Sequence, residues 1–415
     1  MKNQMCLDNS IKNNLKLNFL DVLVIFCLIF SEAGTFGLPL NLYQFIIVFM
    51  LAVSLFNKIY AKLSIRFSSK LIILLLYMLL ITIINTIDFS IIRGFLFFVI
   101  ELIAFYFWMD DNQSFSKFQK ILYMVSVFLS IYGIIQEIAF FFNIPQLYDL
   151  SIYGFGFKVG EIRNGILSVT SFYSEPSHCA TFISWGLWIG LTGRNKLSFV
   201  SITKNICILL CAFFTQSAIV YICVFVVLIA YVCIYQKNIM KKAKWFAIAI
   251  IGVLALFLVK DNAISAVLNR LNQFENISTT TGQDLSALSL VSNFKIAVEK
   301  MKDGFIFGTG FDTHRLYYDH YISEIYGTLY MYLNINDAGS LYTRVFSEFG
   351  IIGFLIFIYF IVKKFFHNIR NNNMVGFSFI LMFSILIMRN GQYENLYTII
   401  AFLGAFMVEK DGSYV

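Results

Sequence analysis

The sequence predicts an all-α polytopic membrane protein with about 12 transmembrane helices and one long outer loop. Composition is the first reason: 59% of the 415 residues are hydrophobic, 13% are charged and mean hydropathy is +0.76, whereas a soluble domain carries about 25% charged residues. Apolar runs of about 20 residues, the length that crosses a hydrocarbon core, recur along the chain. The third reason is sidedness. Twenty Lys and Arg fall in segments read as inner, against Arg93, Lys158, Arg163 and Arg389 in the short outer loops, and such a bias sets orientation. The net charge of +7 therefore says nothing about nucleic acid and is read through the side of the membrane on which each Lys and Arg falls; the lipid bilayer is the expected partner and no nucleic acid is expected. Cys27, Cys179, Cys207, Cys211, Cys223 and Cys233 lie in or beside apolar runs and Cys6 in the basic tail, which gives neither a disulfide framework nor a zinc spacing.

The elements follow in order. Phe19–Phe36 is the first span; Ser31-Glu32-Ala33 resembles a cleavage site, but a second span follows at once, so an uncleaved anchor is expected. Leu40–Phe56 comes next, then the inner cations Lys58, Lys62, Arg66 and Lys70. Leu71–Ile87 and Ile92–Met109 enclose a short outer turn with Arg93. Ile121–Phe142 leads to an outer loop, 143–174, containing Arg163, and Ser177–Leu191 returns to Arg194, Lys196 and Lys204. Segment Ser198–Tyr235 is too long for one span. The cations flanking it require an even number of crossings, which places a turn at Thr215-Gln216-Ser217. Trp245–Val259 is the ninth span, followed by the longest non-apolar stretch. Leu341–Val362, Met374–Met388 and Leu396–Val408 complete the set, with both termini inside. The domain division is 1–260 for the first nine spans, 261–340 for the long loop and 341–415 for the last three.

Within the long loop, Leu285–Met301 carries apolar residues at helical spacing, which predicts an amphipathic helix along the outer interface. Gly308-Thr309-Gly310 reads as a plain turn before it reads as a phosphate loop. Asp312, His314, Asp319 and His320 lack the usual metal-ligand spacing, so no metal or cofactor is expected. The interleaved tyrosines fit interface anchoring and stacking on sugar rings alike.

Ionisable residues near lipid are functional candidates by default. Arg163 followed by Ser174-Glu175-Pro176-Ser177-His178 brings a guanidinium, a carboxylate and an imidazole to the start of a span. The alternative is an ordinary helix start, with the acid at the positive end and Pro in the first turn. Arg344 and Glu348 stand four apart on one helix face, where an internal ion pair accounts for both. Arg389 and Tyr393 lie in the last outer turn, where the arginine has snorkelling as its simpler explanation.

An outer-loop Arg, a Glu-Pro-Ser at a helix start, a long outer loop with Gly-x-Gly, Glu348-Phe349-Gly350-Ile351-Ile352-Gly353 opening a helix, and Arg389-Asn390-Gly391-Gln392-Tyr393 together resemble the O-antigen polymerase (Wzy-type) and O-antigen ligase superfamily, over about Arg163–Tyr393. Thr215-Gln216-Ser217 also looks like a family element. Ala218 departs from the pattern where an Arg often follows the Ser, and Gly339 departs where ligases usually carry a His. The resemblance implies a GT-C-like bundle with a periplasmic loop, in the bacterial inner membrane. It implies metal-independent glycosyl transfer from an undecaprenyl-diphosphate-linked oligosaccharide, with a chain-length regulator and a flippase as candidate partners. The product is O-antigen or capsular polysaccharide; an O-antigen ligase acting on lipid A-core and a lipid-linked oligosaccharide flippase are the alternatives. Guanidiniums suit a departing diphosphate, and an attacking hydroxyl needs a base. On these grounds Glu175, Arg163, His314 and Glu348 are the catalytic candidates, Glu175 first as base. Arg315, Arg344, Arg389, Tyr393, His320 and His178 are the diphosphate- and sugar-binding candidates.

Overall fold

The computed structural model describes residues 17–33, 41–62, 67–86, 88–111, 115–154, 157, 159–163, 165–193, 198–235, 285–326, 333–410 and 413–414. Its helices are α1 Phe19–Phe30, α2 Leu42–Tyr60, α3 Ser69–Asn85, α4 Phe89–Asp111, α5 Phe115–Phe141, the single turn α6 Pro145–Tyr148, α7 Pro176–Thr192, α8 Phe199–Phe214, α9 Ala218–Tyr235, α10 Leu285–Lys302, α11 His314–Tyr326, α12 Leu341–Arg370, α13 Met374–Leu386 and α14 Leu396–Met407. Among the described residues four helices are long and apolar enough to cross a membrane: α2, most of α4 and α5, and α12. Six shorter ones are apolar as well. This is a polytopic membrane protein. The predicted ninth span, Trp245–Val259, and the boundary at 260 lie outside the described residues. The fold is not purely helical: β1 Ile162–Arg163 pairs with β2 Ile166–Leu167, and β3 Val408–Lys410 with β4 Ser413–Tyr414.

The axis of the bundle is α7, which packs on α5, α8, α9 and α13 and is buried from Cys179 through Gly190. Small residues permit this, as in membrane bundles generally: a Cβ on Gly186 would stand 2.3 Å from that of Ser126 on α5. The predicted turn between α8 and α9 is present, and Thr215 there accepts from the Ser168 hydroxyl (2.6 Å) through its carbonyl. Residues 168–173 are thereby drawn into the bundle interior, with Tyr173 fully buried, although sequence places them in an outer loop.

Two ion pairs form at the end predicted to be inner. Lys58 meets Asp110 at 2.8 Å, and buried Asp21 pairs with Lys117 and accepts from the Trp108 indole (3.1 Å). Leu285–Lys302 is helical as expected, but its inward face carries polar residues as well as apolar ones. Ser289, Ser292, Asn293 and Lys300 are buried beside Ile296 and Ala297, while Phe294 is exposed. The polar residues are needed there because they meet the polar groups of α11 and α12.

Candidate functional site

At the opposite end two clusters of charge form side by side. The first gathers on the start of α7. Glu175 is its N-cap and Pro176 sits in the first turn, as helix-start rules require. Glu175 Oε2 accepts from Arg389 Nη2 (2.8 Å) and from the Ser177 hydroxyl (3.0 Å). One turn on, His178 Nδ1 lies 2.8 Å from Glu32 Oε1. Glu32 also accepts from the Tyr397 hydroxyl (2.8 Å) and from Ser174 N–H (2.7 Å) and Oγ (2.5 Å). Burial disfavours a charge on Glu32, and these several donors offset that cost.

The second cluster locks the long loop onto α12. Arg344 Nε donates to Glu348 Oε1 (3.0 Å), Nη2 to Asp312 Oδ1 (2.5 Å) and Nη1 to the Gly391 carbonyl (3.1 Å), while its guanidinium lies over the Tyr393 ring at 4.6 Å. Glu348 in turn accepts from the N–H groups of Asp312 (2.9 Å) and His314 (3.2 Å). The helix breaks directly after it, at Gly350 (φ 64, ψ −170). A break frees backbone groups that must be satisfied elsewhere. The Glu348 carbonyl takes Thr309 and Gly310 N–H (2.9 and 2.7 Å), and Ile351 N–H donates to Ile306 (3.1 Å). The Gly308-Thr309-Gly310 amides at 309 and 310 are therefore spent on α12. Glycine is required at 310, where φ is +103 and a Cβ would come 2.4 Å from Thr82 Cα. The Glu348–Gly353 motif does not open α12, as sequence reading expected; the helix starts at Leu341 and the motif marks its break.

His314 is buried inside this lock. Nδ1 bonds Ser347 Oγ and Nε2 bonds Asn293 Oδ1, both at 2.8 Å. Ser347 Oγ also accepts from Lys300 Nζ (3.1 Å), so its own hydrogen goes to Nδ1, and the imidazole is the neutral Nε2–H tautomer. Burial, then Lys300 and Arg344, hold its pKa well below the ordinary histidine value. Burial likewise brings Lys300 down to about 7, with Glu348 opposing.

The segment between α13 and α14 joins the clusters, since Arg389 reaches Glu175 while Gly391 and Tyr393 touch Arg344. The structure thus brings together Glu175, His178, Arg389, Tyr393, Arg344, Glu348 and His314. Arg315 stands at the edge, bonded to Asp312 (3.2 Å) and Ser90 (3.0 Å). His320 is 63% exposed and paired only loosely with Glu324 at 3.4 Å, so it and buried His314 share no metal-like setting. Arg163 lies on β1, and its side chain is outside the described residues. The internal Arg344–Glu348 pair foreseen from their spacing is present.

Comparison with known proteins adds one finding. Residues 205–358 match a family model described as O-antigen ligase. The resemblance to the O-antigen polymerase and ligase superfamily is borne out over that stretch, and the match supports polymerase or ligase activity in general. No curated protein and no solved structure matches the chain. The matched stretch contains Asp312, His314, Arg344 and Glu348 of the loop lock, ends short of Arg389, Gly391 and Tyr393, and begins after α7.

Sequence reasoning missed several members of the site. Glu32 was weighed only as part of a cleavage site, although an acid at the end of an apolar run is itself a functional signal. Asp312 was weighed only as a metal ligand. Lys300 and Asn293 carry no local signal, because their roles come from lying on the inward face of α10. Glu101, in the middle of α4, is buried with neither carboxylate oxygen hydrogen-bonded among the described residues; the same rule about acids at membrane depth would have flagged it.

Proposed function

We propose that this protein polymerises oligosaccharide repeat units carried on undecaprenyl diphosphate, by metal-independent glycosyl transfer at the outer mouth of the bundle in the bacterial inner membrane. The observation that carries the reading is the Arg389–Glu175 pair. It joins segments more than 200 residues apart at 2.8 Å while its side chains stay 17% and 35% exposed. A guanidinium held by one carboxylate and open on its other edge can receive a diphosphate bidentately. Arg315, 33% exposed, is a second cation at the same end. Arg344 has its donors committed and would act by holding the loop and Tyr393 in place. The acceptor would be the hydroxyl of another lipid-linked repeat, and the leaving diphosphate's growing charge would be met by Arg389 and Arg315. Gly339, where ligases usually carry a His, favours polymerase over ligase. The chain would fold as about 12 transmembrane helices in a GT-C-like bundle with both termini inside.

Purified protein given undecaprenyl-diphosphate-linked repeats should lengthen the glycan and release undecaprenyl diphosphate without added metal or ATP. Repeats that cross liposome membranes unchanged would replace this reading with a flippase. Transfer to lipid A-core in place of a second repeat would replace it with a ligase.

A further inference from the structure

A hydroxyl that attacks an anomeric carbon must shed its proton. Glu175, the first candidate by sequence, has one oxygen held by both Arg389 and Ser177. His178 is placed differently. Every bond that Glu32 makes is one it accepts: from Ser174 N–H, Ser174 Oγ, the Tyr397 hydroxyl and His178. Surrounded by donors, Glu32 is a carboxylate, so the His178 nitrogen bonded to it carries hydrogen, and in the neutral ring the basic lone pair then sits on Nε2. Nε2 has no hydrogen-bond partner among the described residues, and the ring is 16% exposed. The other charged groups acting on it are Glu175, on its own helix, and Arg389, from the last outer turn. Arg389 is also the guanidinium assigned to the diphosphate.

We propose that His178 accepts the proton of the attacking hydroxyl, with Glu32, Ser174 and Tyr397 as positioning residues that fix its tautomer and steady the imidazolium. This rests on the glycosyl-transfer reading above. As the acceptor oxygen bonds to the anomeric carbon, the bond from that carbon to the diphosphate oxygen breaks and its electron pair leaves with the diphosphate. The hydroxyl proton passes to Nε2, then to the released diphosphate or to water, which restores neutral His178.

The test uses the purified full chain and lipid-linked repeats accumulated by a deletion strain, with kcat and KM read separately. His178→Gln should lower kcat by about 10²–10⁴-fold with KM little changed, and free imidazole should restore part of the rate of His178→Ala, which a purely structural histidine would not allow. Glu32→Gln keeps the side-chain shape and gives the second reading if the histidine variants fail to fold: kcat falls and the acid limb of its pH profile is displaced, with KM held. The proposal is overturned if His178→Gln keeps the wild-type kcat. It is also overturned if imidazole rescues nothing while Glu175→Gln abolishes transfer, which would make Glu175 the base. A wild-type protein that neither lengthens glycan nor releases diphosphate defeats the glycosyl-transfer reading itself, a result distinct from both.

Discussion

The two histidines at the mouth of the bundle are held in opposite tautomers, and the clusters around them differ in the same sense. His314 gives Nε2–H to Asn293 and takes a hydrogen from Ser347, so neither nitrogen is open. His178 gives Nδ1–H to Glu32 and keeps Nε2. Around His314, Arg344 is 6% exposed and Glu348 fully buried; around His178, Arg389 and Glu175 keep water-facing edges. In the loop lock both His314 nitrogens and the Arg344 guanidinium are matched internally, whereas the α7 cluster keeps partly exposed Arg389 and Glu175 side chains. Under the proposed function the loop lock serves architecture and the α7 cluster chemistry.

The sharpest separation should come from removing one charge in each. Arg344→Ala leaves buried Glu348 without its ion-pair partner and Asp312 with Arg315 alone, and breaking a buried pair costs about 3–5 kcal/mol. The expected outcome is a large fall in melting temperature and loss of loop protection from protease. Arg389→Ala should leave the melting temperature nearly unchanged, because a partly exposed pair is worth about 0–1 kcal/mol. Transfer should still fall about 10²–10³-fold, as on removing one donor to a developing oxyanion. If Arg389→Ala unfolds the protein and Arg344→Ala leaves it stable but inactive, the assignment of the two clusters is reversed.

Acid should separate them next. The unfolded chain protonates His314 below about pH 6.5, but the folded site resists, so stability falls with pH below 6.5 by up to about 1.4 kcal/mol per pH unit. Lys300 acts in the same direction in another window. Between its folded value of about 7 and the ordinary lysine value of 10.5, the unfolded state binds more protons, so the lock tightens as pH rises. The α7 cluster carries no such group among the described residues: Glu32 is held as a carboxylate by Ser174, Tyr397 and His178. At pH 5.5 hydrogen exchange should therefore open residues 303–316 while 171–178 stay protected. Simultaneous opening would mean that the clusters are one cooperative unit.

The sequence made some of this plain and not the rest, for physical reasons. Helix limits follow from local caps and apolar length, so Pro176, Leu341, Met374 and Leu396 start helices near where they were expected, and the turn at Thr215 followed from charge parity alone. The Arg344–Glu348 pair was legible because both residues lie on one helix. Glu32 with His178 was not, since 146 residues separate them and only the meeting of α1, α7 and α14 brings them together. The burial of polar residues on α10 was hidden for a related reason: a helix in a membrane protein can turn either face to its neighbours, and the choice depends on what those neighbours offer.

The smallest expected effect is the control that bounds the comparison. His320 lies on α11 only six residues beyond His314, yet its side chain is 63% exposed and its one ionic contact is the i,i+4 approach to Glu324. Exposed pairs of this kind contribute about 0.3–0.5 kcal/mol on helices, and surface changes away from special features stay within about 0.5 kcal/mol. His320→Ala should therefore leave the melting temperature, kcat and KM close to wild type, while His314→Ala, which empties a buried site and takes away the partners of Asn293 Oδ1 and of the Ser347 hydroxyl hydrogen, destabilises the loop. A loss of transfer in His320→Ala with the fold intact would show that substrate extends over α11, and the chemistry could then no longer be confined to the α7 side of the mouth.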